Sequence, residues 1–386
     1  MRRSAARWMA VSWAVLCPAG AWSQTGAVVL RGEGEVSAGE PLAVSEDGVR
    51  VATRRDAAGA VAGEVWIGWD RVREVRGPAD LERAAEALRD VADAAWRAGS
   101  RAARGDFAAA EPLYEGLFER YRGRTGPTAS AVSAGLLRCR LVRGAQASAV
   151  SAWLGWLSAS VGGTPGVGEL GGVIDAGTGL CPALPPMWMP SASVVSLAGG
   201  GVEAPGAGVA DRSAWCRWLY VRAARAEVGL EDGESPMPEL PKQAEDGVRL
   251  VYEVVRSRAG DEAGRREARR ALGERLGGRS PGWVEAWVRV AVGRSLLLEP
   301  EVERKREGLL SLMYVVSRSS GEEGYITGLA MASAAVGLSE TGEAEAGRAL
   351  ARELMARFPG HPSLDSAAVR ALTGSGGSGT TGDTIK

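Results

Sequence analysis

The side chains that most often carry chemistry are scarce in this sequence. One histidine occurs in 386 residues, His361, within Pro359-Gly360-His361-Pro362. Histidine-based nucleophile relays and multi-histidine metal sites therefore lack parts. A lone histidine in a loop after a helix reads as a solvated residue. The four cysteines, Cys17, Cys139, Cys181 and Cys216, match no zinc spacing. No lysine follows a glycine run, so a phosphate-cradling P-loop is absent. Gly166-Val167-Gly168-Glu169-Leu170-Gly171 fits the dinucleotide fingerprint in letters only. It follows a helical pattern instead of a strand, in a glycine-dense stretch where chance matches are common. Two carboxylate groupings, Glu33/Glu35 and Glu231/Asp232/Glu234, could in principle do acid–base work. Both sit in polar, turn-like sequence with no apolar neighbours to raise a carboxyl pKa, and read as solvated surface. No catalytic, cofactor-binding or metal-binding residue is expected, and no cofactor.

Charge and composition narrow the class further. The chain carries 46 basic and 47 acidic side chains, a formal net charge of −1, so no electrostatic excess drives phosphate contact and nucleic acid is not an expected partner. The Arg256–Arg279 stretch mixes Arg256, Arg258, Arg265, Arg266, Arg269 and Arg270 with Glu253, Asp261, Glu262, Glu267 and Glu274. That balance describes a salt-linked helix surface. With 45% hydrophobic residues the chain can build a sizeable core.

The N-terminus reads as a secretory signal over residues 1–23. Arg2, Arg3 and Arg7 precede an apolar run from Trp8 to Leu16, and Ala21-Trp22-Ser23 supplies a small-x-small cleavage site before Gln24. About nine apolar residues are too few to cross a ~30 Å hydrocarbon core. The expectation is a periplasmic or secreted chain with no stable membrane insertion after cleavage. Export permits disulfides. Of the three cysteines left, Cys181 and Cys216 form the expected bridge, and Cys139, on an apolar helix, reads as a buried thiol.

Stepping along the mature chain, residues 24–78 read as β. Ala27–Arg31, Pro41–Ser45, Val49–Thr53, Glu64–Ile67 and Val72–Val75 are short apolar or alternating runs, with a hairpin signal at Asp47-Gly48. The order of these runs resembles small SH3-like or Sm-like barrels of exported bacterial proteins. The resemblance implies a small β-barrel. Trp66 and Trp69 either line an exposed aromatic groove or serve structure, Trp66 in the core and Trp69 covering a barrel end.

The remainder is helical: residues 79–159, then 212–372, ending in a flexible tail over 373–386. Residues 80–104 are rich in Ala, Leu, Glu and Arg and predict one helix. Phe107, Ala110, Tyr114, Leu117, Phe118 and Tyr121 share one helical face, as do Val150, Trp153, Leu154 and Leu157. Two stretches resemble tetratricopeptide repeats. In one, Gly105-Asp106-Phe107 leads to Ala110, Tyr114 and Leu117. In the other, Ala335 and Gly342 lead to Gly347, Ala351, Leu354 and Pro359. Arg101 and Arg122 depart from the repeat pattern, and the period is not kept between residues 125 and 320. The resemblance implies a mainly α protein, an α-solenoid of antiparallel helix pairs with a concave face, preceded by the small all-β domain.

Residues 160–211 interrupt that pattern with a Gly/Pro-rich insertion containing Leu-Pro-Pro-Met-Trp-Met-Pro at 184–190. Met187, Trp188 and Met189 are costly to leave in water. They are expected to fill part of the helical groove, with Trp188 as anchor, or to pack on the convex face. The expected function is a non-catalytic protein–protein interaction scaffold of the bacterial cell envelope, holding an envelope protein's segment on the concave face, with Trp188, Met187, Met189 and Trp69 as candidate contacts. The competing expectations are a carboxylate-dependent periplasmic hydrolase or lyase with α/α architecture and a self-assembling structural envelope component.

Overall fold

A computed structural model describes residues 26–32, 37–55, 61–159, 170, 172–206, 211–230, 237–277, 281–318 and 324–374. The signal segment, Glu33/Glu35, the Gly166–Gly171 fingerprint apart from Leu170, Glu231/Asp232/Glu234 and the tail beyond Gly374 lie outside the described residues.

Five strands open the fold: β1 (Ala27–Leu30), β2 (Glu40–Ser45), β3 (Gly48–Arg55), β4 (Val61–Ile67) and β5 (Val72–Arg76). β3 pairs antiparallel with β2 and β4, and β1 pairs antiparallel with β5. The Val28 amide donates to the Gly39 carbonyl and the Ala38 amide to the Val28 carbonyl, tying β1 to the stretch before β2. Val28, Val49, Val51, Ile67, Val72 and Val75 are buried; the two-residue period turns Val49 and Val51 inward on β3, and on β5 the register shift opposite Val29/Leu30 lets both Val72 and Val75 face in.

That same period corrects the expectations for the tryptophans. Val49 pairs with Ile67 and Val51 with Val65, so Trp66, paired with Arg50, faces outward. It is 42% exposed, with the Arg50 guanidinium 6.0 Å from its ring centroid. Trp69 is buried beyond the end of β4, and its indole donates to the Ser45 carbonyl at 2.9 Å. The two rings therefore do not line a shared exposed groove, and Trp66 is not a core residue.

Fourteen α-helices follow among the described residues. The run expected as one helix over 80–104 is two, α1 (Ala79–Glu86) and α2 (Arg89–Ala103). Leu88, between them, leaves helical geometry and turns into the core. Gly105, at φ +80, ends α2 in the left-handed conformation that suits glycine, and the Asp106 amide closes back on the Arg101 carbonyl. The Asp106 side chain then caps α3 (Phe107–Tyr121) by accepting from the Ala109 amide. α4 (Pro127–Val142) and α5 (Gln146–Ala159) complete the first helical stretch. After the insertion come α6 (Ala192–Ala198), α7 (Arg212–Glu227), α8 (Asp246–Ala259), α9 (Glu262–Leu276), α10 (Gly282–Leu296) and α11 (Val302–Arg318). α12 (Gly324–Glu340), α13 (Ala344–Arg357) and α14 (Ala367–Thr373) end the fold.

From α2 onward consecutive helices pack against each other, α1 packs on β2 and β5, and α8, α10, α12 and α14 also touch in turn. Small residues set how close some pairs come. A Cβ on Gly293 of α10 would lie 2.8 Å from the Gly308 carbonyl oxygen, and one on Gly308 of α11 would lie 2.7 Å from that of Gly293. The expected α9 salt links exist: Arg266 with Glu262, Arg256 with Glu267 and Arg275 with Asp246.

The β module is fastened to the helices through its Glu46-Asp47 turn. Tyr121 donates to the Glu46 carbonyl at 2.8 Å and Thr128 to the Asp47 carbonyl at 2.8 Å. The Trp69 amide donates to the Thr128 hydroxyl at 3.0 Å.

Candidate interaction site around residues 180–190

Proline content dictates the local form of this segment. Pro185 and Pro186 have no amide hydrogen and fixed φ, which keeps the chain extended and leaves no orphan donors there. Carbonyls and apolar side chains are what the segment offers. Leu184 to Trp188 are buried without a break, Met189 is half-buried and Pro190 is exposed.

Three helices meet those carbonyls with four side-chain donors. Tyr220 of α7 donates its hydroxyl to the Leu184 carbonyl at 2.5 Å. Trp287 of α10 donates its indole N–H to the Pro182 carbonyl at 2.9 Å. Arg294 of α10 donates to the Trp188 carbonyl at 2.8 Å, and Tyr325 of α12 to the Met187 carbonyl at 2.8 Å. The side chains fill the spaces between. Trp188 meets the Tyr220 ring edge-on at 6.0 Å, and Tyr220 in turn lies 5.0 Å from Trp153 of α5.

Arg294 is held for this task by a buried ion pair. Its two terminal nitrogens lie 2.8 Å from the two oxygens of Glu227, whose side chain is 2% exposed. Arg258 of α8 approaches the same carboxylate at 3.4 Å. Burial keeps the Tyr220 and Tyr325 hydroxyls protonated, raising both well above the usual tyrosine pKa, so both remain donors.

The candidate residues thus fall in two places. Met187, Trp188 and Met189 lie together among α5, α7, α10 and α12, whereas Trp69 belongs to the junction of the β module with α4. The Cys181–Cys216 bridge is not formed. Cys139, Cys181 and Cys216 are free and buried. The Leu184 amide donates to the Cys181 carbonyl at 2.9 Å, closing a turn at the cysteine. Burial pushes the Cys139 thiol up to about 11 and the Cys181 and Cys216 thiols up to about 12.

His361 corrects a further expectation. It is 7% exposed, stacked on Tyr325 with centroids 5.2 Å apart. Its Nδ1 accepts from the Ser363 amide at 3.1 Å, and its Nε2 lies 2.9 Å from the Tyr325 carbonyl, to which it donates in the neutral tautomer. Burial lowers its pKa to about 4, with the Tyr325 carbonyl opposing. It therefore supports the start of α12, which carries the donor to Met187.

Sequence reasoning missed Tyr220, Glu227, Trp287, Arg294 and Tyr325. Their roles depend on a partner segment 36–138 residues away, or on each other, and no local pattern encodes that. Among the described residues no group of three or more His, Cys, Asp or Glu is placed to hold a metal ion. No helix among them is long and apolar enough to cross a membrane. No protein family, curated protein or solved structure matches this chain.

Proposed function

We propose that this chain is a non-catalytic protein–protein interaction scaffold of the bacterial cell envelope, built as a solenoid of helix pairs that takes an extended partner segment on its inner, concave face. The observation that carries the reading is how α7, α10 and α12 hold residues 182–188. Four side-chain donors address main-chain carbonyls, and the apolar side chains enter the gaps between helices. Main-chain recognition suits any extended segment, and side-chain gaps give it specificity. Residues 182–188 already occupy this stretch, so a partner competes with them. Burying Leu184, Met187 and Trp188 stabilises the seated form by ~2 kcal/mol per side chain. The incoming segment must therefore bring comparable apolar groups, with proline or other residues that leave no buried amide unmet.

The test is affinity capture on immobilised residues 24–386 from envelope extracts, eluted with excess synthetic peptide copying residues 181–190. A stoichiometric protein released by that peptide, and not by a scrambled one, supports the reading. Absence of any protein above background across several growth conditions sinks it, as does a partner indifferent to the peptide.

A further inference from the structure

Helix α11 buries one side only. Leu309, Leu312, Val315 and Val316 are buried where it packs on α10 and α12. Its other side carries Glu303, Arg306, Leu310, Met313 and Ser317, all exposed. Alternating steps of three and four residues keep these five in one stripe along the helix, the spacing by which one helix seats against another. Leu310 is 72% exposed, more than any other large apolar side chain among the described residues, and Met313 is 37% exposed. Apolar groups so open to water mark a surface that meets something else.

The order of side chains along the stripe says what that is. An acid, Glu303, stands at its N-terminal end. A base stands at the other end, where Arg318 follows Ser317 and its guanidinium lies 5.1 Å from the Tyr314 ring centroid. Neither Glu303 nor Arg318 forms a salt bridge among the described residues. Fifteen residues of helix at 1.5 Å each hold the two charges about 22 Å apart, so they cannot neutralise each other. A second α11 running antiparallel brings each to its opposite. Residue 303 then faces 317–318 of the copy, and 306 faces 313–314. Leu310, midway between Glu303 and Ser317, falls on the two-fold axis against its own copy. Opposite charges placed evenly about a central leucine are what an isologous, self-matching surface requires. The Arg306 stem covers Met313 of the copy while its head stays in water.

We propose that the exposed face of α11 is a homodimer interface, two copies of the chain pairing antiparallel through Leu310 with Glu303 of each against Arg318 of the other. The surface is separate from the one that holds residues 182–188, so it stands whether or not a partner segment competes there. A single helix pair is a small interface, which places the dimer in the weak class, at tens of micromolar.

The experiment is sedimentation equilibrium of the purified chain from about 1 to 300 µM, compared with three altered chains. Leu310→Lys sets two like charges on the axis, and Glu303→Arg sets a base against Arg318 of the copy. Glu303→Arg combined with Arg318→Glu reverses both ends and restores the match. All three positions are exposed, and circular dichroism checks that each chain keeps its helices. A monomer–dimer equilibrium that Leu310→Lys and Glu303→Arg each weaken at least tenfold, and that the double reversal brings back to within about threefold, supports the proposal. A monomer across the whole range, the result expected if an unlike protein covers this face, overturns it. So does a dimer indifferent to Leu310→Lys, or one that the double reversal leaves as weak as Glu303→Arg alone.

Discussion

At the residue scale, two buried polar groups make the strongest predictions. His361 is neutral when folded because burial lowers its pKa to about 4 from an ordinary 6.5. The unfolded chain therefore binds a proton first as pH falls. The stability tied to this neutrality is fully present above pH 6.5 and is lost as pH drops from there toward 4. By linkage the loss reaches about 3 kcal/mol. Urea unfolding at pH 7 and pH 4.5 should show it, and His361→Gln should remove that part of the slope. If the variant keeps the same pH dependence, the imidazole is not the titrating group. Arg294 and Glu227 form the second case. Arg294→Met leaves a buried carboxylate facing Arg258 at 3.4 Å alone, and should cost ~3–5 kcal/mol. Glu227→Gln combined with Arg294→Met should recover much of that, measured as a double-mutant cycle. A double variant as unstable as the sum of the singles would contradict a coupled pair.

The three thiols are legible at the same scale. Burial and pKa values of about 11 and 12 leave almost no thiolate at neutral pH. Cys139, Cys181 and Cys216 should resist an aromatic disulfide reagent in native buffer and react promptly in denaturant. Fast native labelling of any of them would show that its surroundings open readily.

At the scale of elements, local chemistry was readable where it depends on near neighbours. Short apolar or alternating runs placed all five strands, and Gly105-Asp106 marked the boundary between α2 and α3. Gly347, singled out with Ala335 in the second repeat-like stretch, sits where a Cβ would lie 2.6 Å from the Ala335 carbonyl oxygen. Trp66 was misjudged because a large aromatic suggests a core, whereas strand register decides the face. The break at Leu88 escaped because alanine-rich sequence favours helix on both sides of it. His361 escaped because its partner, the Tyr325 carbonyl, lies 36 residues earlier. The α10–α11 crossing yields a prediction of this scale. Gly293→Ala drives a methyl to 2.8 Å from a backbone carbonyl that cannot swing aside. It should cost ~1–3 kcal/mol by overpacking, read from denaturant midpoints. Gly273→Ala, with open space around it, should cost nothing or stabilise slightly.

For the whole molecule, the insertion is the feature that sequence reading could raise only as alternatives. Its composition said that Met187 and Trp188 needed cover. Part of that cover comes from helices more than a hundred residues further on: Trp287 reaches Pro182 across 105 positions, and Tyr325 reaches Met187 across 138. Trp188→Ala should open a cavity and cost ~3–5 kcal/mol. It should also speed protease cleavage on both sides of residue 188, a result that native-like resistance would exclude.

Those long reaches bear on how the chain gains its structure. A row of helix pairs touching only their neighbours can form from either end and fray in steps, because each added pair is nearly independent of distant ones. Here residues 182–188 meet only part of their cover, from Tyr220 of α7, until α10 and α12 exist. An emerging chain stopped before Tyr325 would carry an exposed Leu-Pro-Pro-Met-Trp stretch with its clamp half built. Closing so long a loop is slow, and it converts a stepwise row into a body that melts in one transition. The seating of residues 182–188 is therefore completed only when the last helices have arrived.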